Sequence, residues 1–417
     1  MKIVVLGAGV IGVTTAYYLA RRGHAVTVLE EHRETAMGTT HANGGQISVS
    51  HPESWAAPEV PRMLLRSLRQ VDAPIRVNLS WDPAMWSWGL SFLRNCTAHR
   101  RRRHTAAIAR LAVYSQRQLH DLCSETDIDF AHHVSGTLHL FTDPGDLERA
   151  SRLAQARRQF GIAQQLLDRD ACVTIEPALA DVASRLCGGI YAPADESGDA
   201  FLFTQELARV CAQQDVAFQY GTRALGFEQD SRGIRAVITD QVHVSADCFI
   251  VALGIGSSTL LRSLGIRAPI YPVKGYSATL PVADRHAVPD VNIIYEARRI
   301  VTSRLGTRLR IAGGADVVGY DGQLDVNRAK AVLSPAFALF PRLGDREEAV
   351  YWAGLRPMTP DGPPILGPTP YRNLFLNTGH GSLGWTLACG SARAVADLVS
   401  GSTPEVDIQD YAFTRFT

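Results

Sequence analysis

The sequence has no excess of either charge. Its 417 residues hold 42 Lys+Arg against 41 Asp+Glu, a net charge of +1. A dedicated nucleic-acid binder carries a basic excess, so that class is excluded. There is no cysteine framework either. The seven cysteines (96, 123, 172, 187, 211, 248 and 389) are odd in number, scattered, and form no C-x-x-C pair. That speaks against disulfides or a zinc site and for a reducing compartment. No stretch reaches the roughly 18 uninterrupted apolar residues of a membrane-spanning helix, so the expected body is soluble or membrane-peripheral. G-x-S-x-G, H-E-x-x-H and paired-carboxylate motifs are missing, which leaves hydrolytic and metal chemistry little support. Repeats and low-complexity segments are missing too.

What is present is ordinary globular composition, 46% hydrophobic and 20% charged, at a length that suggests two to three domains. Met1-Lys2 before an apolar run mimics the start of a signal peptide. However, the run carries glycines at regular spacing and no small-residue cleavage site, so it reads as structure. Residues 2–6 are an apolar, β-branched strand suited to burial on both faces. Gly7-Ala8-Gly9-Val10-Ile11-Gly12 follows, then a helix to Arg22, a stop at Gly23, and a second strand over 25–29 ending in Glu30-Glu31.

In that order the residues describe a dinucleotide site. Gly7 permits the tight turn, Gly9 lets backbone N–H groups approach a pyrophosphate, and Gly12 lets helix and strand pack closely. The helix N-terminus supplies partial positive charge. Glu30, 23 positions after Gly7, is placed to accept hydrogen bonds from a ribose diol. The fingerprint alone does not separate NAD from FAD.

Four further segments point to flavin. Residues 39–46, with Thr39, Thr40, His41, Ala42, Asn43, Gly44 and Gln46, form a small polar loop soon after the second strand. Residues 218–227, 233–240 and 243–246 read as strands of a small sheet. Residues 248–256 are an apolar strand ending in Leu253, Gly254 and Gly256. Residues 373–377 lead through Gly379-His380-Gly381-Ser382-Leu383-Gly384 into an alanine-rich helix to about residue 399. A helix N-terminus there suits a flavin pyrimidine, which gains negative charge on reduction.

With these residues the chain resembles the glycine/D-amino-acid oxidase superfamily of FAD enzymes, and within it the small subunit of bacterial D-amino-acid dehydrogenases. The resemblance is carried by residues 42–48, 55–61, 93–96, 195–199 with 203–205, 271–277, 354–362 and 378–381, in family order over almost the whole chain. It implies an α/β fold with an α+β substrate part. A Rossmann-like FAD-binding domain (1–50, 171–267, 351–417) would carry an inserted antiparallel-sheet substrate domain (51–170, 268–350). It assigns Gly7, Gly9, Gly12 and Glu30 to the ADP half. Thr39, Thr40 and residues 42–46 go near the isoalloxazine, Ala224 by the adenine, and 381–384 at the pyrimidine edge.

The reaction implied is hydride transfer from the Cα of a D-amino acid to flavin N5, giving a 2-oxo acid and ammonia, with electrons passed to a quinone or another respiratory acceptor. Handedness comes from the resemblance alone. An α-carboxylate is best held by a bidentate arginine, and Arg356 in Gly-Leu-Arg-Pro-Met-Thr-Pro-Asp stands where the family places that residue. Tyr276 and Tyr271 are second candidates for carboxylate contact or pocket lining. The alternatives are an enzyme acting on D-proline, D-hydroxyproline, sarcosine or glycine, and a non-catalytic FAD-binding electron-transfer subunit.

His41 stands where the D-amino-acid dehydrogenases carry an apolar residue. Histidine before Ala-x-Gly resembles the site at which dimethylglycine dehydrogenase attaches FAD covalently; a noncovalent pocket histidine is the preferred reading. Trp55, Trp81, Trp86 and Trp88 are four of six tryptophans. Residues 61–70 and 84–94 mix apolar and basic side chains at helical spacing, and His99-Arg-Arg-Arg-Arg-His104 follows. Segment 55–104 thus suits an interfacial anchor on anionic lipid as well as it suits a packed hairpin with a solvated basic end. The expected location is cytoplasmic, at the inner face of the bacterial inner membrane. Residues 105–125, with Thr105 as N-cap, and 143–160 read as amphipathic helices.

Overall fold

A computed structural model describes residues 1–67, 75–231 and 233–416. Its centre is the strand Lys2–Leu6, paired in parallel with Cys248–Val251 on one side and Ala25–Leu29 on the other. Successive side chains point to opposite faces. Ile3 and Val5 enter a core shared with the helices on one face, whereas Val4 and Leu6 join a second core on the other. Burial on both faces is why the run is apolar without alternation. The complete sheet has six strands, in the order Ile365–Pro368, Leu374–Thr378, Cys248–Val251, Lys2–Leu6, Ala25–Leu29, Ala217–Gln219. Only its first pairing is antiparallel.

Helices Val10–Ala20, Ala200–Gln213 and Gly384–Val399 cover one face. The helix Ala98–Glu125 packs on the same layer, burying Ile108, Leu111, Leu119 and Leu122 in that core. Gly390 permits the approach: a Cβ there would lie 2.8 Å from the Ser115 backbone. This long helix therefore sits with the first sheet, whereas the expected bounds 51–170 place it with the inserted one. It also starts earlier than expected, since Thr97 and not Thr105 is the N-cap, accepting from Arg100 N–H at 3.3 Å. Arginines are good helix formers, and the basic run becomes the helix's opening turns.

The second sheet is largely antiparallel. Its main path runs Val350–Met358, Tyr271–Pro281, Arg308–Val317, Ile300–Leu305, Asn292–Tyr295, Thr137–Phe141, Gly188–Ala192, Gln165–Leu167, and Ile75–Val77 pairs beside Arg308–Val317. The strand Gly188–Ala192 and the helix Arg169–Ile175 belong here by pairing and by the burial of Cys172, although the sequence reading had put them with the flavin sheet. The helix Val326–Leu339 covers one face through Ala329, Val332, Leu333 and Ala336.

The segment 61–70 is helical within Val60–Ser67, and its last three residues lie outside the described ones. The helix expected over 143–160 is Pro144–Arg157, capped by Asp143, with a short 3-10 turn to Phe160.

Candidate active site

The tight turn after the first strand has the geometry that only glycine supplies. Gly7 has φ +104° and a Cβ on it would lie 2.8 Å from Ala252 O. A Cβ on Gly12 would fall inside the van der Waals sphere of Gly7 O. The turn presents the N-terminus of Val10–Ala20, where Val10 N–H donates to Thr40 Oγ1 at 3.1 Å. Glu30 is buried at the end of the second strand and accepts from Ala8 N–H at 2.7 Å and His32 N–H at 2.9 Å. Glu31 is half-exposed and pairs with Arg223 at 3.0 Å.

These groups open onto a cavity of about 1780 Å³ between the two sheets, beyond the roughly 300–1,000 Å³ of an ordinary small-ligand pocket. Gly7, Gly9, Val10, Ile11, Glu30 and Glu31 line one end. Thr39, Thr40, Ala42, Asn43, Gly44 and Gln46 line the middle with Leu253 and Gly254. Gly379, His380, Gly381, Ser382, Leu383 and Gly384 bring the last helix N-terminus to the same space. The dinucleotide turn, the polar loop and the last helix, far apart in sequence, thus share one elongated cleft. A long cofactor with a phosphate centre fits it.

The loop of residues 39–46 is held by the second sheet. Thr39 Oγ1 donates to Leu355 O at 2.8 Å, Ser277 Oγ to Ala42 O at 2.7 Å, and Arg310 Nη1 to Asn43 O at 2.8 Å. Burial pushes Arg310 down to about 10, still charged at neutral pH. Arg310 and Ser277 are positioning residues that sequence reasoning missed. The available signal was an arginine at the third position of a largely apolar strand, Arg308–Val317, opposite Thr279.

Arg356 reaches the cavity from Val350–Met358. Nη1 donates to Gly314 O at 2.9 Å and the guanidinium lies 5.8 Å from the Trp55 ring centroid. It lies flat against Gly275, where a Cβ would collide with its terminal atoms. Burial lowers it to about 10, with Asp316 opposing the shift, so it stays cationic. No carboxylate pairs with it among the described residues. A cavity-lining guanidinium whose fork lacks a protein anion is a receptor for an external one.

The two tyrosines are placed otherwise. Tyr276 donates from its hydroxyl to the fully buried Asp316 at 2.9 Å, where Arg328 and Arg76 converge on the same carboxylate. Tyr271 donates to Asp82 at 2.9 Å and is not a lining residue. Both hydroxyl hydrogens are donated inside the protein, so neither is left to donate to a substrate carboxylate; Tyr276 does line the cavity, one of its two expected roles, and Tyr271 does not. Tyr276→Phe is expected to lower stability by about 1–3 kcal/mol while changing kcat/KM by less than about threefold, under 1 kcal/mol. Urea unfolding and steady-state assays check both.

Gly12, His41 and Ala224 also do not line the cavity. Gly12 acts behind the turn, and Ala224 opens the strand Ala224–Asp230 of a small three-stranded sheet. The His41 ring packs 4.8 Å from Phe201 and 6.3 Å from Trp352, and its buried Nδ1 has no hydrogen-bond partner among the described residues. His380 is buried with Nε2 3.0 Å from Ser391 Oγ. Burial pushes it down to about 3, so a neutral imidazole flanks the last helix.

Comparison with known proteins completes the picture. The family model described as FAD dependent oxidoreductase matches residues 2–398. A D-amino acid dehydrogenase of Granulibacter bethesdensis is 44% identical over 416 residues, covering all of both chains. One of Rhizobium johnstonii is also 44% identical over 416 residues with the same coverage. Among solved structures, glycine oxidase from Geobacillus kaustophilus has TM-score 0.78 at 23% identity, covering 99% of each chain. L-proline dehydrogenase from P. horikoshii has TM-score 0.76 at 19% identity, covering 100% of this chain and 97% of its own. These last two share the fold, a mixed α/β architecture in which a doubly covered sheet meets an antiparallel one. With the match running through nearly its whole length, the chain belongs to the FAD dependent oxidoreductase family and binds FAD.

Proposed function

We propose that this protein oxidises D-amino acids to 2-oxo acids and ammonia and passes the electrons to a respiratory acceptor. The observation that carries the reading is Arg356, a cationic fork open to the cavity that also meets the flavin-binding turns. The full-length relatives named D-amino acid dehydrogenase support it. Bound FAD supplies the hydride acceptor for the substrate Cα–H bond, and the released imino acid hydrolyses in water. Arg356 grips the α-carboxylate through two parallel N–H···O bonds and so fixes where Cα stands. Trp55 and Gly275 hold the guanidinium plane. Arg310 and Ser277 hold the loop of residues 39–46, which would border the flavin ring. Substrate amine that enters neutral needs no protein base.

The test is anaerobic titration of the yellow holoenzyme with D-alanine, L-alanine, D-proline, D-hydroxyproline, glycine and sarcosine, read as bleaching of the oxidised flavin band. Bleaching by several D-amino acids and not by L-alanine is expected. Bleaching by one cyclic or secondary amine alone moves the activity to an imino-acid enzyme. No bleaching by any of them leaves an electron-transfer subunit.

For the acceptor we propose a quinone reached from a membrane surface. No helix among the described residues is long and apolar enough to cross a membrane. The helix Pro83–Asn95 and the turn before it carry an apolar face outward: Trp81 is 99% exposed, and Leu79, Trp86, Leu90 and Leu93 are also exposed. The same segment borders the cavity mouth through Met85, Trp88 and Phe92, and at its rim through Leu79, Trp86 and Leu93. The exposed Arg94, Arg100 and Arg102 lie beside it, whereas Arg101 and Arg103 are tied to Glu59 and Asp410. An apolar face with tryptophan and arginine seats in an anionic lipid interface. The protein is expected to sediment with phosphatidylglycerol-rich vesicles at low salt, and the double variant Trp81→Ser/Trp86→Ser to stay in the supernatant. Sedimentation of both to the same extent would remove this face as the anchor.

A further inference from the structure

Along the second sheet from Arg356, four and five strands away, lies a polar cluster with no part in the proposed oxidation. His139 stands on Thr137–Phe141, Glu296 follows Asn292–Tyr295, and His51 and Glu53 lie on the segment after the flavin loop. All four line the cavity wall, so solvent ions reach them. His51, His139 and Glu296 each offer one ligand atom, all within 4.8 Å of one another.

His139 lies between two acidic groups. Asp195 accepts both the backbone N–H and the hydroxyl of Ser50, at 3.0 and 2.6 Å, and Ser50 Oγ lies 3.5 Å from His139 Nε2. On its other side His139 Nδ1 faces Glu296 Oε1 at 2.9 Å. A position between an imidazole nitrogen and a carboxylate oxygen is held by a proton or can be taken by a metal ion. Glu53 and Glu296 face a single guanidinium, Arg157, which donates to Glu53 at 2.7 Å.

We propose that His51, His139 and Glu296 form a divalent-metal site of the zinc class, its remaining positions filled by water from the cavity. Two imidazoles and a carboxylate are the donors zinc and its neighbours prefer, while magnesium and calcium favour all-oxygen shells. Bonds of about 2.0–2.1 Å would draw the outermost ligand atom in by roughly 1 Å. Each histidine has the outer acceptor that metal-bound imidazoles use: Ser50 for His139, and for His51 the Glu53 carboxylate, whose Oε2 lies 3.6 Å from Nδ1 and is buried without a hydrogen bond among the described residues. On binding, the metal takes the Nδ1 lone pair of His139 and any proton held there goes to water, so affinity rises with pH. The ion would clamp the segment after the flavin loop to two strands of the second sheet.

The holoenzyme is dialysed against chelator and titrated calorimetrically with zinc, then with cobalt(II), whose visible ligand-field bands lie to the red of the flavin. One equivalent binding at micromolar or tighter is expected, weakened on the order of 100-fold or more in His139→Ala, Glu296→Gln and His51→Ala. His51 is part-exposed, so its replacement leaves the fold intact if the others do not. The exposed His243→Ala should bind as the unaltered protein does. Absence of binding below millimolar zinc, or equal binding in all four variants, would overturn the site and leave a proton between His139 and Glu296.

Discussion

Arg356→Ala is expected to lower kcat/KM for D-alanine by about 30- to 5,000-fold, with the flavin still bound. The range follows from the 2–5 kcal/mol lost when one partner of a desolvated, hydrogen-bonded charge pair is removed. Under the proposed role the loss is expected in both affinity and reduction rate, because a fork that binds the carboxylate also sets the distance over which the hydride travels. Arg356→Lys keeps the charge and loses the planar pair of donors, so it should recover no more than about a tenth of the missing activity. Stopped-flow reduction under anaerobic conditions separates Kd from the reduction rate. A variant that retains FAD and loses less than threefold in kcat/KM would show that the carboxylate is held elsewhere.

The second large effect is on cofactor binding. Gly12→Ala places a methyl group inside the carbonyl of Gly7. Both atoms belong to backbone pinned by the first strand and the helix that follows, so no side chain can yield. The cost should exceed the usual 0.5–3 kcal/mol of a point substitution. The purified chain is expected to emerge from gel filtration colourless and with a lowered Tm. Gly89→Ala is the contrast. Nothing lies within 4 Å of a Cβ there, and alanine in a helix interior gains about 0.5–1 kcal/mol over glycine. It should keep its flavin and melt at or slightly above the unaltered protein. Equal flavin content in the two variants would show that the turn tolerates a side chain and that its glycine spacing is incidental.

Much of this was legible in the chain because local rules carry it. The strand–glycine–helix–strand–acid order of residues 2–30 needs no distant partner to be read, and the structure supplies a steric reason for Gly7 and for Gly12. The motif singled out Arg356, and the structure puts its side chain on the cavity wall. The two tyrosine hydroxyls were not legible, because a hydroxyl's fate depends on its partner. Asp82 lies 189 residues before Tyr271 and Asp316 lies 40 after Tyr276. Arg310 and Ser277 escaped for the same reason: their role exists only once the second sheet meets the loop of residues 39–46. The long helix was assigned to the wrong sheet since amphipathic periodicity says that a face is buried, not against what. Its buried stripe fits the last helix through Gly390, a contact written far downstream.

The flavin loop has a further consequence for how the protein is made. Its carbonyls and hydroxyls are gripped by residues 235, 267 and 316 positions later, and the first strand waits for Cys248–Val251 and then for Leu374–Thr378 to complete the sheet beside it. A ribosome that has translated only the first half of the message has exposed the dinucleotide turn with nothing to close over it. Contacts of such sequence separation form late. Cofactor loading is therefore expected only after translation of the Leu374–Thr378 strand.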